Sequence, residues 1–144
     1  MKVYEILAGK LYQRGRFDKW PKERKLLELK ELGITVVANM IRIPDDDISG
    51  PDGVEYYMLP IADGKIKDPD MLNKLADRLL QRILEGQKVL IHCNAGRNRS
   101  GLVSALIVRG YYNISGQEAL NYVRRKRPQA IANPHFEAYL EGLP

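Results

Sequence analysis

Apolar positions along the chain alternate between two spacings, one suited to strands and one to helices. Val3–Leu7 and Leu11–Tyr12 read as short strands. Pro21 then opens a helix through Leu32, with Leu26, Leu29 and Leu32 on one stripe and Gly33 as a natural stop. Ile34–Ile43 is a β-branched-rich apolar run that suits a buried strand, and the acidic stretch Pro44–Gly53 is a loop. Val54–Ile61 predicts the next strand. Asp68-Pro69-Asp70 has the chemistry of a helix start, with Asp68 as N-cap, and Leu72, Leu75, Ala76, Leu79, Leu80 and Ile83 follow at helical spacing until Gly86. Lys88–His92 predicts a short buried strand, Ser100–Arg109 a buried helix, Gln117–Arg127 a helix closed by Pro128, and Phe136–Leu140 a last one.

Strands and helices alternate through the middle of the chain. That order predicts an α/β fold: a central mixed, mostly parallel sheet with helices on both faces. Repeats, low-complexity tracts and linkers are absent, so residues 1–144 read as one domain.

Composition narrows the setting. There are 23 basic and 18 acidic residues, a net charge of +5, which favours anionic partners without choosing among phosphoprotein, nucleic acid and lipid headgroups. One cysteine excludes an intramolecular disulfide, and one cysteine with two histidines falls short of a four-ligand zinc site of those residues. No signal-peptide pattern opens the chain and no apolar run is long enough to span a bilayer. The expectation is a cytoplasmic protein without a membrane anchor, metal or cofactor, acting as a monomer.

The lone cysteine lies in the most informative stretch, His92-Cys93-Asn94-Ala95-Gly96-Arg97-Asn98-Arg99-Ser100-Gly101. An apolar strand feeds a loop with small residues at 95 and 96, and a helix begins near Ser100. The free N–H groups of that helix point back into the loop, which makes an anion cradle. From Gly86 to Gln117 there is no Asp or Glu, while Lys88, Arg97, Arg99 and Arg109 all fall inside. A helix N-terminus and an arginine favour a thiolate, the nucleophilic form of cysteine. The planar fork of Arg99 suits two phosphate oxygens. Phosphoryl transfer also needs a proton for the departing oxygen, and Asp63 follows the strand Val54–Ile61. If that strand runs parallel to Lys88–His92, both ends reach one sheet edge.

The run from His92 to Gly101 resembles the Cys-x5-Arg signature of the protein tyrosine phosphatase superfamily, in its dual-specificity form. Asp63 stands where that family carries its general acid, and Arg127–Phe136 resembles its segment after the last long helix. The likeness covers about the last two-thirds of the chain. It implies that Cys93 attacks phosphorus to give a phosphocysteine. It further implies that Arg99 and the backbone N–H groups of Asn94, Ala95, Gly96, Arg97, Asn98 and Arg99 bind the phosphoryl oxygens. Asp63 protonates the leaving group and then activates water, Ser100 hydrogen-bonds the thiolate, and His92 braces the loop. The Trp-Pro-Asp triplet of larger tyrosine-specific enzymes is absent. Ile61-Ala62-Asp63 is closer to the dual-specificity pattern, which leaves open whether the acid loop swings.

Other readings stand beside these. Cys93 could be a buried core thiol, and Asp63 could cap the turn before Gly64. Ser100 could serve as a helix cap as well as a site residue. Asn133 resembles a site residue of the family but also suits Asn-Pro turn chemistry. Gly96-x4-Gly101 has nucleotide-loop spacing, yet Leu102 occupies the required lysine position. The basic run Arg124–Arg127 suits a solvated last helical turn. Arg97 is expected at the pocket rim, favouring acidic or multiply phosphorylated substrates. The expected substrates are phosphotyrosine and also phosphoserine and phosphothreonine in proteins. Phosphoinositides and RNA 5′-phosphates are alternatives for the same loop, and a non-catalytic phosphate-binding module is the reading from another class.

Overall fold

Five strands form one sheet in the order β1-β2-β5-β3-β4, in a computed structural model that describes residues 2–48 and 54–144. The strands are β1 (Tyr4–Leu7), β2 (Leu11–Arg14), β3 (Val36–Asn39), β4 (Glu55–Met58) and β5 (Val89–His92). β1 and β2 pair antiparallel, whereas β2, β5, β3 and β4 are parallel neighbours. The predicted mixed, mostly parallel sheet is therefore present. β4 runs parallel to β5 as the site required, with β3 between them.

Alternation along the strands explains the layers. Val36, Ala38, Val89 and Ile91 join the larger core, under α2 (Pro69–Leu84), α3 (Arg99–Tyr112), α4 (Gly116–Lys126) and α5 (Pro134–Glu141). Val37, Leu90 and Tyr12 point to the opposite face. They meet Leu29 from α1 (Lys22–Leu32), with Phe17 and Ile48. Each fully buried Val or Leu contributes about 1.5–3 kcal/mol, so a strand interior to two layers is held from both sides. Lys25 of α1 is buried as well, its stem lying on the small core and its Nζ 2.9 Å from both carboxylate oxygens of Asp47.

Helix ends follow local chemistry. Asp68 caps α2 by accepting from the Met71 N–H at 3.0 Å, and Gly33 closes α1 in the left-handed conformation at φ 73°. Pro21 occupies the N-cap position of α1 rather than the first helical residue. Ser115 and Glu118 form a reciprocal capping box at the start of α4, an S-x-x-E signal that the periodicity alone passed over.

Several strand and helix limits differ from expectation: β2 extends to Arg14 and α5 begins at Pro134. The run Ile34–Ile43 yields only Val36–Asn39, because the Asn39 side chain accepts from Ile41 N and donates to Ile43 O, folding the chain out of the sheet. Val54–Ile61 yields only Glu55–Met58, after which Leu59 leads into a proline. Helix α3 runs to Tyr112, three residues past Arg109, and ends at Asn113 in the left-handed region. In the predicted loop, Ile48 N donates to Asp45 O at 3.1 Å; its remainder, residues 49–53, lies outside the described residues.

Candidate active site

Four parallel strands end on one edge of the sheet, where Arg14, His92, Asn39 and Met58 stand in register. The loops leaving these ends carry the residues singled out in the sequence. The loop after β5 starts at Cys93, which is 2% exposed. Ser100, fully buried in the first turn of α3, places its Oγ 3.2 Å from the Cys93 Sγ. A hydroxyl there can donate to a thiolate.

The loop is pressed onto β2. Gly96 adopts φ +68°, and a Cβ at this position would stand 2.3 Å from the carbonyl carbon of Arg14 and 2.5 Å from Gly15 N. Only glycine allows that approach. Gln13 fixes it, donating from Nε2 to Gly96 O at 3.0 Å while its Oε1 accepts from Ser104 of α3 at 2.8 Å. Arg16 N adds a backbone bond to Asn94 O at 3.1 Å. Strand, loop and helix are thus locked through one buried amide.

Asn98 occupies the N-cap position of α3, yet no side chain caps that helix among the described residues. The Asn98 amide is used elsewhere: its Oδ1 accepts from Ala132 N and Asn133 N at 2.7 and 3.2 Å, and its Nδ2 donates to Asp63 Oδ2 at 3.0 Å. The first-turn N–H groups of α3 therefore keep their capacity for an anion. Arg99 is the first residue of α3, and its Nη1 donates to Ile61 O at 3.3 Å, so the guanidinium reaches the loop that carries Asp63.

Asp63 lies on the exposed loop after β4. Its second oxygen, Oδ1, accepts from Asn133 Nδ2 at 2.8 Å. Asn133 is also the N-cap of α5, accepting from His135 N and Phe136 N. Its two expected roles, turn chemistry and proximity to the site, are both present in one side chain. Asp68 and Asp70 belong to the start of α2.

His92 stacks edge-on against Phe17 and is paired, Nε2 to Asp45 Oδ2 at 2.7 Å, both side chains at most 1% exposed. The same Asp45 oxygen accepts from the Tyr56 hydroxyl at 3.0 Å. Burial pushes the Tyr56 phenol up to about 12, which keeps it a neutral donor to that carboxylate. Asn39 completes the group by donating to the Tyr56 hydroxyl at 2.8 Å. Asp45 was not singled out from the sequence, where it is one of three consecutive aspartates.

A strap between α4 and α5 wraps the loop from outside. Ile131 N donates to Arg97 O, and Arg97 Nε donates to Gln129 O at 2.7 Å. Arg127 Nε reaches Gly96 O at 3.3 Å. Arg97 thus spends one donor on the strap rather than standing wholly free at the rim. Within the basic run, Arg125 and Lys126 are exposed in the last turn of α4, but Arg124 binds the Ala130 and Ile131 carbonyls and Glu137, so it fastens the strap. Gln129 and Ile131 adopt φ 70° and 59°. For a β-branched residue such as Ile131 this is strain, held by full burial and by the close approach of Gly101.

A cavity of about 460 Å³ opens beside this edge, lined by residues that include Ile41, Ile61, Lys65, Met71, Arg99 and Phe136. Cys93 and Asp63 do not line it. Among the described residues no three His, Cys, Asp or Glu side chains cluster as metal ligands would.

The family model described as "Dual specificity phosphatase, catalytic domain" matches residues 19–142. The chain belongs to the dual specificity phosphatase catalytic-domain family. This dual specificity phosphatase domain is 30% identical over 118 residues to dual specificity protein phosphatase 12 of Mus musculus, covering 78% of this chain and 34% of that protein. It is 26% identical over 113 residues to tyrosine-protein phosphatase vhp-1 of Caenorhabditis elegans, covering 78% and 17%. The chain thus spans about a third or less of these two curated relatives. Among solved structures, Tk-PTP in the active form superposes with a TM-score of 0.74 at 29% identity, covering 96% of this chain and 95% of that one. The PTP-2 phosphatase of Cydia pomonella superposes at 0.82 with 23% identity, covering 98% and 89%, which bears on the fold alone.

Proposed function

We propose that the chain is a cysteine-dependent protein phosphatase. It hydrolyses phosphate monoesters of phosphotyrosine, phosphoserine and phosphothreonine through a cysteinyl-phosphate. The observation that carries this reading is Cys93 held 3.2 Å from Ser100, in a loop closed by an uncapped helix N-terminus, with Arg99 at its head.

In the first step Cys93 Sγ attacks phosphorus as the bond to the leaving oxygen breaks, and Asp63 delivers its proton to that oxygen. The backbone N–H groups from Asn94 to Arg99 and the Arg99 fork spread the charge of the equatorial oxygens. In the second step Asp63 takes a proton from water, which attacks phosphorus; the S–P bond breaks and the departing thiolate accepts a hydrogen bond from Ser100. A positioned acid is worth roughly 10²–10⁴ in rate. His92 and Asp45 act beneath the loop as supports.

The partners in this reading are phosphorylated proteins, and the enzyme acts as a monomer in the cytoplasm. No helix among the described residues is long and apolar enough to cross a membrane. An aryl phosphate assayed with Cys93→Ser tests the chemistry: turnover is abolished, and unchanged turnover would overturn it. Phosphopeptides bearing each of the three residues test the breadth of substrate. Turnover of phosphotyrosine alone contradicts dual specificity, and preferential release of phosphate from a phosphoinositide or an RNA 5′-end contradicts a protein substrate.

A further inference from the structure

The amide that ought to cap α3 is instead the meeting point of three segments. Asn98 sits in the phosphate loop between Arg97 and Arg99. Its carbonyl oxygen accepts from two backbone N–H groups of the strap, Ala132 and Asn133. Those donors cannot change role, so the orientation of the amide is settled by them and its Nδ2 must face outward as a donor. What it meets is Asp63 Oδ2, at 3.0 Å. Asn133 is oriented in the same manner: its Oδ1 is occupied by His135 N and Phe136 N, and its Nδ2 is left for Asp63 Oδ1 at 2.8 Å. Each carboxylate oxygen therefore receives one amide whose direction is set by backbone.

From this geometry we infer that the Asn98 side chain positions Asp63 for proton transfer. This rests on the reading of Asp63 as the acid. The loop carrying Asp63 is exposed and β4 ends five residues earlier, at Met58, so packing does not fix the carboxylate. Asn98 ties it to the loop that holds the phosphoryl group, one residue from Arg99. The acid and the phosphate site then move as a unit. Asn98 is a positioning residue: it acts through Asp63. Using the amide here also keeps it off the helix N-terminus, where it would compete with the phosphoryl oxygens for N–H groups.

Two variants separate this role from a structural one. Asn98→Asp keeps an acceptor for the strap N–H groups and turns the donor facing Asp63 into a repelling carboxylate. Asn98→Ala removes both ties. Each is assayed on phenyl phosphate, a poor leaving group that needs the acid, and on 4-nitrophenyl phosphate, a good one that needs it less. Asp63→Asn serves as reference, and urea midpoints verify folding.

The expected result in both variants is a loss in kcat on phenyl phosphate about ten- to a hundredfold larger than the loss on 4-nitrophenyl phosphate. Equal losses on both substrates, or none, with a steep leaving-group dependence in Asp63→Asn, overturn the inference alone. A flat response in Asp63→Asn overturns the acid assignment and the role of Asn98 with it.

Discussion

Replacing Gly96 with alanine probes how closely the phosphate loop must lie on β2, and Gly9 provides an internal control. The two glycines share one backbone conformation, φ +68° and +67°, but a Cβ at Gly9 would meet nothing within 4 Å. Alanine in the left-handed region costs about 1–2 kcal/mol at either position. At Gly96 the new carbon must also retreat from 2.3 Å to ordinary contact with the Arg14 backbone, a shift of roughly 1–2 Å. That retreat breaks the Gln13 bond to Gly96 O and the Arg16 bond to Asn94 O, about 0.5–1.5 kcal/mol each. The totals are about 1–2 kcal/mol for Gly9→Ala and about 2–5 kcal/mol for Gly96→Ala. Urea unfolding followed by the fluorescence of Trp20 measures both. With a slope of about 2 kcal/mol per molar, the Gly96 midpoint falls below the Gly9 midpoint by roughly 0.5–1.5 M. Turnover of 4-nitrophenyl phosphate drops about a hundredfold in Gly96→Ala, because a 1 Å displacement of the binding N–H groups is enough for that. Gly9→Ala turns over as the parent does. Equal midpoints, or a Gly96 variant with unchanged turnover, would refute the close-packing account.

Ser100→Ala removes the hydrogen bond to the departing sulfur, about 1.5–3 kcal/mol to a charged group; stopped-flow assay shows a burst of phenol followed by slow turnover. A linear time course with no burst contradicts that role. Asp45→Ala strips the partner from buried His92 and Tyr56 and costs about 3–5 kcal/mol, whereas exposed Asp46→Ala costs little. Similar urea midpoints for the two would show the buried pair to be dispensable. Glu55 is held below the usual carboxylate range, chiefly by its hydrogen bonds from Arg82. Its contribution is present above the unfolded value of about 4.3 and is lost as pH falls through the lower folded value. The stability difference between parent and Arg82→Met is constant near neutrality and shrinks below about pH 4. A difference that grows on acidification has the wrong sign.

The alternating apolar pattern was enough to order the elements, because each of its periods reports which face a residue buries. Cys93, Arg99 and Ser100 were legible for a related reason: strand, loop and helix are contiguous, so spacing alone brings them together. Asp45 was not. Its partner His92 is far along the chain, and only the β3–β5 pairing brings the two loops together. The end of β3 was hidden because Asn39, in the midst of an apolar run, spends its amide on its own backbone. Arg124 was read as solvated charge because the left-handed conformations at Gln129 and Ile131, in the strap it fastens, have no signature in residues that seldom adopt them. Asn98 was expected to serve through its backbone, and its side chain gained meaning only once residues 63 and 133 stood beside it.

Strand β5 lies at the centre of the sheet although it is the last strand to be made. It slots between β2 and β3, pairing Leu11 with Val89 across more than half the chain. Such distant pairings are slow to close. On a ribosome, the earlier strands emerge with a gap where β5 will stand. That edge of the sheet cannot close until β5 has joined them, so the pocket side waits on the very segment that brings Cys93.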